Sequence, residues 1–133
     1  MSFETTAQQI VYYALNGNLS APVYDDVAVL PDGQPMSGFP YVVIGNDTHR
    51  PFDTDDTVGS SSTVTIHVWS KYPGFKECKS IMGEIYDLLN RASLTKAGFN
   101  VVDCLWEYSD TSTDPDGETR HGVTRYRLTI QET

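Results

Sequence analysis

Residues 62–91 read STVTIHVWSKYPGFKECKSIMGEIYDLLNR, and a change of period inside this stretch decides the fold. From 62 to 70 the period is two. Val64, Ile66 and Val68 take one face, and Thr63, Thr65, His67 and Trp69 take the other, which is the pattern of a strand with one buried side. Pro73-Gly74 punctuates the chain. From 75 to 91 the apolar spacing becomes three and four. Phe75, Cys78, Ile81, Met82, Ile85, Leu88 and Leu89 form one stripe, while Lys76, Lys79, Glu84 and Asp87 face away. That is an amphipathic helix in need of a surface to cover.

The flanking segments supply the surface. Residues 99–109 and 122–131 read as strands joined by turn chemistry at Asp114-Pro115-Asp116-Gly117, so they should pair antiparallel. In the first, Val102, Cys104, Trp106 and Tyr108 are expected on one face, with Asp103 and Glu107 opposite. In the second, Tyr126, Leu128 and Ile130 oppose Arg125, Arg127 and Thr129. Upstream, Phe39-Pro40-Tyr41-Val42-Val43-Ile44-Gly45 is a strand too apolar on both faces to be a wet edge. Residues 46–61 are acidic and rich in Ser and Thr, and are expected to be a long loop. Residues 20–38 carry Pro22, Pro31 and Pro35 and read as loop, with room for a very short strand at Val23-Tyr24. Residues 3–16 form a second amphipathic helix on Phe3, Ala7, Ile10, Val11, Ala14 and Leu15, with Ser2 as N-cap and Gly17 as its stop. The expected fold is α+β: a mainly antiparallel sheet of about four strands, with both helices packed on one face. The 133 residues are expected to form a single domain, 1–133.

Composition narrows the function. Nine basic residues face eighteen acids, a formal charge of −9. That balance disfavours a sequence-independent nucleic-acid binder, which must replace phosphate counterions, and disfavours docking on an anionic membrane. No apolar run is long enough to span a bilayer, and the N-terminal segment lacks a basic secretory start. Cys78 and Cys104 are expected to be free thiols in the core. The charge is concentrated. Residues 103–118 hold Asp103, Glu107, Asp110, Asp114, Asp116 and Glu118 with no base, and residues 47–56 hold Asp47, Asp53, Asp55 and Asp56 with Arg50. These two segments account for the whole net charge.

Recognisable chemistry is absent. No phosphate loop, dinucleotide fingerprint, nucleophile elbow or zincin motif occurs. His49, His67 and His121 have no companion at ligand spacing. Placing Gly117 at position 6 of a calcium loop puts Ser112, Asp114 and Asp116 at positions 1, 3 and 5. It also puts Val123 where a bidentate Glu is required, so a polar turn is the better reading. A cation-dependent binding module using residues 110–118 stays open as an alternative, as does a small hydrolase around His67 and Asp103. Neither cofactor, metal nor catalytic residue is expected.

Several stretches taken together carry a resemblance. They are Phe39 to Gly45; Thr65-Ile66-His67-Val68-Trp69-Ser70-Lys71-Tyr72 leading into Phe75-Lys76-Glu77 and Ile81-Met82; Tyr108-Ser109-Asp110; Asp114 to Gly117; and His121-Gly122-Val123-Thr124-Arg125-Tyr126-Arg127. In this order and spacing the chain resembles the tail completion (tail terminator) proteins of long-tailed bacteriophages, prophages and gene transfer agents. The resemblance implies a structural, non-enzymatic protein of the virion, assembled in the bacterial host cytoplasm. It implies a homo-oligomeric, hexameric ring at the head-proximal end of the tail. Such a ring stops growth of the tail tube protein and joins a head-completion or connector protein, and DNA passes its channel without specific binding. Another head–tail joining position in the neck is the alternative. For such a ring the candidate interface or channel residues are Arg50, Asp53, Asp55, Asp56, Arg125 and Arg127. Either the acids face the channel and repel DNA, or they pair with the arginines of the next subunit.

Overall fold

The switch of period at Pro73-Gly74 is the hinge of the observed architecture. A computed structural model describes residues 2–25 and 38–133. The element order is α1 (Phe3–Leu15), β1 (Val23–Tyr24), β2 (Tyr41–Pro51), β3 (Gly59–Ser70), α2 (Lys76–Leu89), β4 (Phe99–Thr113) and β5 (Arg120–Glu132). The strands form one sheet in the order β1-β2-β3-β5-β4. Pairing is antiparallel except for β1, which lies parallel to β2 through Val23↔Val42 and Tyr24↔Val43. The sheet is therefore five-stranded and mixed, where about four mainly antiparallel strands were expected. The added strand is the two-residue Val23-Tyr24 pair, which shields the apolar start of β2 from water. The expected loop turn at Pro31 lies outside the described residues.

Both helices cover one face. α2 buries Cys78, Ile81, Ile85 and Leu89, and α1 buries Ala7, Ile10, Val11 and Leu15. They meet Val42, Ile44, Val64, Ile66, Val68, Cys104, Tyr126, Leu128 and Ile130 in a single apolar cluster. Each fully buried Ile or Leu contributes about 1.5–3 kcal/mol relative to exposure. Ser2 caps α1, its Oγ accepting from Thr5 N at 3.3 Å, and the chain leaves that helix through Gly17 at φ +80°. Cys78 and Cys104 are buried free thiols. Burial, reinforced by the adjacent Asp103 charge, pushes the Cys104 thiol up to about 12.

Two expectations need correction. Residues 46–61 are not one long loop: β2 runs on to Pro51 and β3 starts at Gly59, leaving only residues 52–58 as the connection. Polar residues pair here because a neighbouring strand satisfies their backbone, and their side chains also pair. The Thr48 and Thr63 hydroxyls share a hydrogen bond, and a bulge between Ile44 and Asp47 resets the faces. The even alternation expected for residues 99–109 also fails. Bulges between Val101 and Asp103 and between Trp106 and Tyr108 interrupt it. Cys104 and Trp106 stay on the helix-covered side, opposite Leu128 and Tyr126, but Tyr108 sits opposite Arg125 and Val102 is exposed.

Candidate functional site

With both helices on one side, the other side of the sheet is open, and its side chains can be read from the strand registers. One row is Arg50–Ser61–Thr129–Asp103. The next is Thr48–Thr63–Arg127–Leu105, then Thr65–Arg125–Tyr108. Arg125 and Arg127 point outward because Tyr126 between them and Leu128 after them are buried. They converge on Glu107. Its Oε2 accepts from Arg127 Nε at 2.8 Å, and its Oε1 lies 3.1 Å from Arg125 Nε. Arg127 also donates to Ser61 Oγ at 2.9 Å, and the Arg125 guanidinium lies over the Tyr108 ring. Arg50, which makes no ion pair among the described residues, completes the group. Thr48, Arg50, Thr63, Glu107, Arg125 and Arg127 line a hollow of about 310 Å³. Two guanidiniums share one carboxylate there and Arg50 adds a third cation, so the hollow carries a local charge of +2 and suits a carboxylate or another anion.

The other candidate residues stand on the 52–58 connection. Asp53, Asp55 and Asp56 are all exposed. Asp53 Oδ1 accepts from Gly59 N at 3.0 Å. Asp56 Oδ1 accepts from the hydroxyls of Thr54 and Thr57, each at 3.1 Å, and these two bonds hold its carboxyl below the usual range. Phe52 and Val58 flank the acids and are exposed. The sheet thus gathers Arg50, Arg125 and Arg127 around one hollow that none of the three aspartates lines, while Asp53 shares a second hollow with Arg50. Glu107, expected only as an outer-face carboxylate, organises the first group.

Three further clusters were not foreseen. On the open face His67 and His121 share a hydrogen bond (Nδ1 to Nε2, 2.7 Å), and His121 stacks on Trp69 with centroids 3.8 Å apart. Burial lowers the pKa of both imidazoles, and the charge of His121 lowers that of His67 further. On the helix side, Asp47 Oδ2 meets His49 Nε2 at 3.0 Å, and His49 Nδ1 meets Ser62 Oγ at 2.8 Å. The residue types are those of a nucleophilic triad, but Ser62 is fully buried and its hydroxyl also pairs with Ser60 at 2.9 Å. The relay ties β2 to β3 and presents no serine to a substrate. Third, α2 and β4 bound a groove of about 590 Å³ where the rings of Tyr86 and Trp106 meet edge to face. His67 and Asp103 fall on separate rows of the open face and are not brought together.

The 110–118 acids do not gather into one cluster. Asp110 to Thr113 belong to β4. Asp116 accepts from the Thr119 hydroxyl and amide and from Glu118 N, and these bonds hold its carboxyl down to about 2. Among the described residues no group of three or more His, Cys, Asp or Glu side chains could hold a metal.

Comparison with known proteins gives the family. Residues 14–131 match the sequence family described as tail completion protein gp17. The tail completion protein gp17 of Bacillus phage SPP1 is 34% identical over 92 residues, covering 69% of this chain and 68% of that protein. A chain from the virion of a native gene transfer agent particle shares the fold, with a TM-score of 0.79 and 22% identity. That match covers 98% of this chain and 99% of the other. The chain belongs to the tail completion protein gp17 family, a family of structural proteins of the bacteriophage tail.

Proposed function

We propose that this tail completion protein assembles as a homo-oligomeric ring, a hexamer, at the head-proximal end of the tail tube. There it halts addition of the tube protein and offers its outer rim to a head-completion protein, and DNA crosses the channel without specific binding. Its work is structural rather than catalytic. The family match across residues 14–131 carries this reading. The likeness in fold to a chain of a gene transfer agent virion supports it. So does the surface: an arginine hollow and an acidic connection occupy different parts of one subunit. Ring subunits need such unlike patches, because a ring closes through heterologous contacts.

Deleting the reading frame from its parent phage or prophage tests the reading by negative-stain electron microscopy of the lysate. Overlong tails without heads, beside filled heads without tails, are expected. Tails of fixed length beside unattached heads would move the protein to another joining position in the neck. Intact infectious particles would remove the proposal.

A further inference from the structure

The two patches complement each other in chemistry as well as sign. The 52–58 connection presents Asp53, Asp55 and Asp56 between two exposed apolar residues, Phe52 (46%) and Val58 (52%). The hollow presents Arg50, Arg125 and Arg127 against a single Glu107, and beside it on β4 stand two exposed apolar residues, Leu105 (41%) and Tyr108 (46%). A segment of −3 flanked by apolar groups faces a hollow of +2 flanked by apolar groups.

We infer that the 52–58 connection of one copy of this chain seats in the Arg50/Arg125/Arg127 hollow of the next copy. The inference rests on the ring reading and names the contact that would close it.

Within one copy Asp53 lies near Arg50, the two lining a second hollow, but the connection does not line the hollow that holds Arg125 and Arg127. Leu105 pairs with Arg127, which pairs with Thr63, so it lies two strand spacings from β3, roughly 10 Å. Thr63 is itself four residues beyond Gly59, where the connection ends, or roughly 13 Å along the strand. The connection is also tied down at both ends, by Phe52 N to Gly59 O at 2.9 Å and by Glu132 N to Val58 O at 2.9 Å. The Asp53 and Asp56 carboxylates are oriented by amide and hydroxyl donors that leave their charge in place. A second copy is the occupant this complementarity selects. DNA is not, because the carboxylates would repel a phosphate chain approaching the same end of the sheet.

Charge reversal tests the contact cleanly at two residues. Asp55 accepts no hydrogen bond and Arg50 makes no ion pair among the described residues, so neither Asp55→Lys nor Arg50→Glu breaks an ion pair within the subunit. Each variant is supplied from a plasmid to the deletion phage. Each single reversal opposes like charges across the contact and should lower the yield of infectious particles roughly tenfold or more, with overlong tails. The double variant Asp55→Lys/Arg50→Glu restores opposite charges and should recover most of the yield. Melting temperatures within a few degrees of the parent confirm that the variants fold. Overlong tails in the deletion, but normal yield from both singles, would overturn the contact and leave the ring reading standing. A folded double variant as defective as the singles would overturn the contact too. If the deletion itself made normal tails, the ring reading would fail first.

Discussion

Gly122 of β5 sets the distance between the sheet and α2, and its replacement by alanine gives a prediction that can be worked through. A Cβ at this position would lie 2.6 Å from Met82 Sδ and 2.7 Å from Cys78 Sγ. Both sulfurs must retreat by about 0.7–0.8 Å to reach ordinary contact. Met82 is partly buried and can turn about several bonds. Cys78 is fully buried, turns about one bond, and its Sγ rests 3.9 Å from Val68 O. The strain therefore falls on Cys78 and on the seat of α2. Overpacking of this kind costs about 1–3 kcal/mol. Alanine recovers about 0.5–1 kcal/mol of glycine's backbone entropy within a strand. The net loss is about 0.5–2 kcal/mol, or about 2–8 °C in Tm for a chain of this size. Thermal melts of Gly122→Ala, Cys78→Ala and the double variant, followed by circular dichroism, measure it. In the double variant the missing sulfur makes room, so the two losses should fall short of additivity by about 1 kcal/mol. An unchanged or raised Tm in Gly122→Ala, or strict additivity, would refute the reasoning.

Three other outcomes follow from named groups. The His67–His121 pair has folded-state pKa values below the ordinary 6.5, so the unfolded chain binds protons first as pH falls. Stability from this pair is full above about pH 6.5 and declines as pH drops toward the folded values. His121→Phe keeps a ring on Trp69, and its Tm should fall less between pH 7.5 and 5.5 than that of the parent. Glu107→Gln removes the carboxylate shared by two part-exposed arginines and should cost less than about 1 kcal/mol in urea unfolding. It makes the hollow more positive, so particle yield should hold, unlike that of Arg50→Glu. Arg91 leaves α2 at φ +59°, where a side chain costs about 1–2 kcal/mol and glycine does not. Arg91→Gly keeps the amide that donates to Cys104 O at 2.7 Å and should therefore raise Tm by a few degrees.

How much of this was legible depends on what carries each feature. The α2 stripe and the β3 and β5 faces are written in apolar spacing, because burial imposes a period on the sequence. Residues 46–51 have no such period, since their strand is held by partners remote in sequence. His49 with Ser62 and Thr48 with Thr63 become neighbours only after the register is set. Bulges hide for a similar reason. Nothing in Val101-Val102-Asp103 or Trp106-Glu107-Tyr108 marks which residue is extra, yet the first slip leaves Val102 exposed and the second turns Tyr108 to the open face. The arginine hollow was half legible. Arg125 and Arg127 on one strand and Glu107 on another could be assigned to outer faces by alternation. Arg50 could join them only once residues 46–51 were strand rather than loop.

The same distinction separates the two acidic segments that hold the net charge. In 103–118, Glu107 is matched by two guanidiniums, so part of that segment's charge is neutralised within the subunit. In 52–58 the partners of Asp53 and Asp56 are an amide and hydroxyls, which fix direction without cancelling charge, and Asp55 has none among the described residues. A hydrogen bond lowers a carboxyl's pKa and so keeps it ionised, whereas an ion pair consumes its field. The 52–58 connection therefore keeps a charge that no ion pair within the subunit cancels, with Asp53 and Asp56 fixed by hydrogen bonds, so that seating it in a cationic hollow costs less entropy. Were the acids there only for solubility, orienting them would serve no purpose. Abolishing the Asp56 bonds with Thr54→Val/Thr57→Val, which leaves every charge in place, should then weaken ring assembly while leaving the subunit's Tm nearly unchanged. Unaltered particle yield from that variant would mean charge alone is enough.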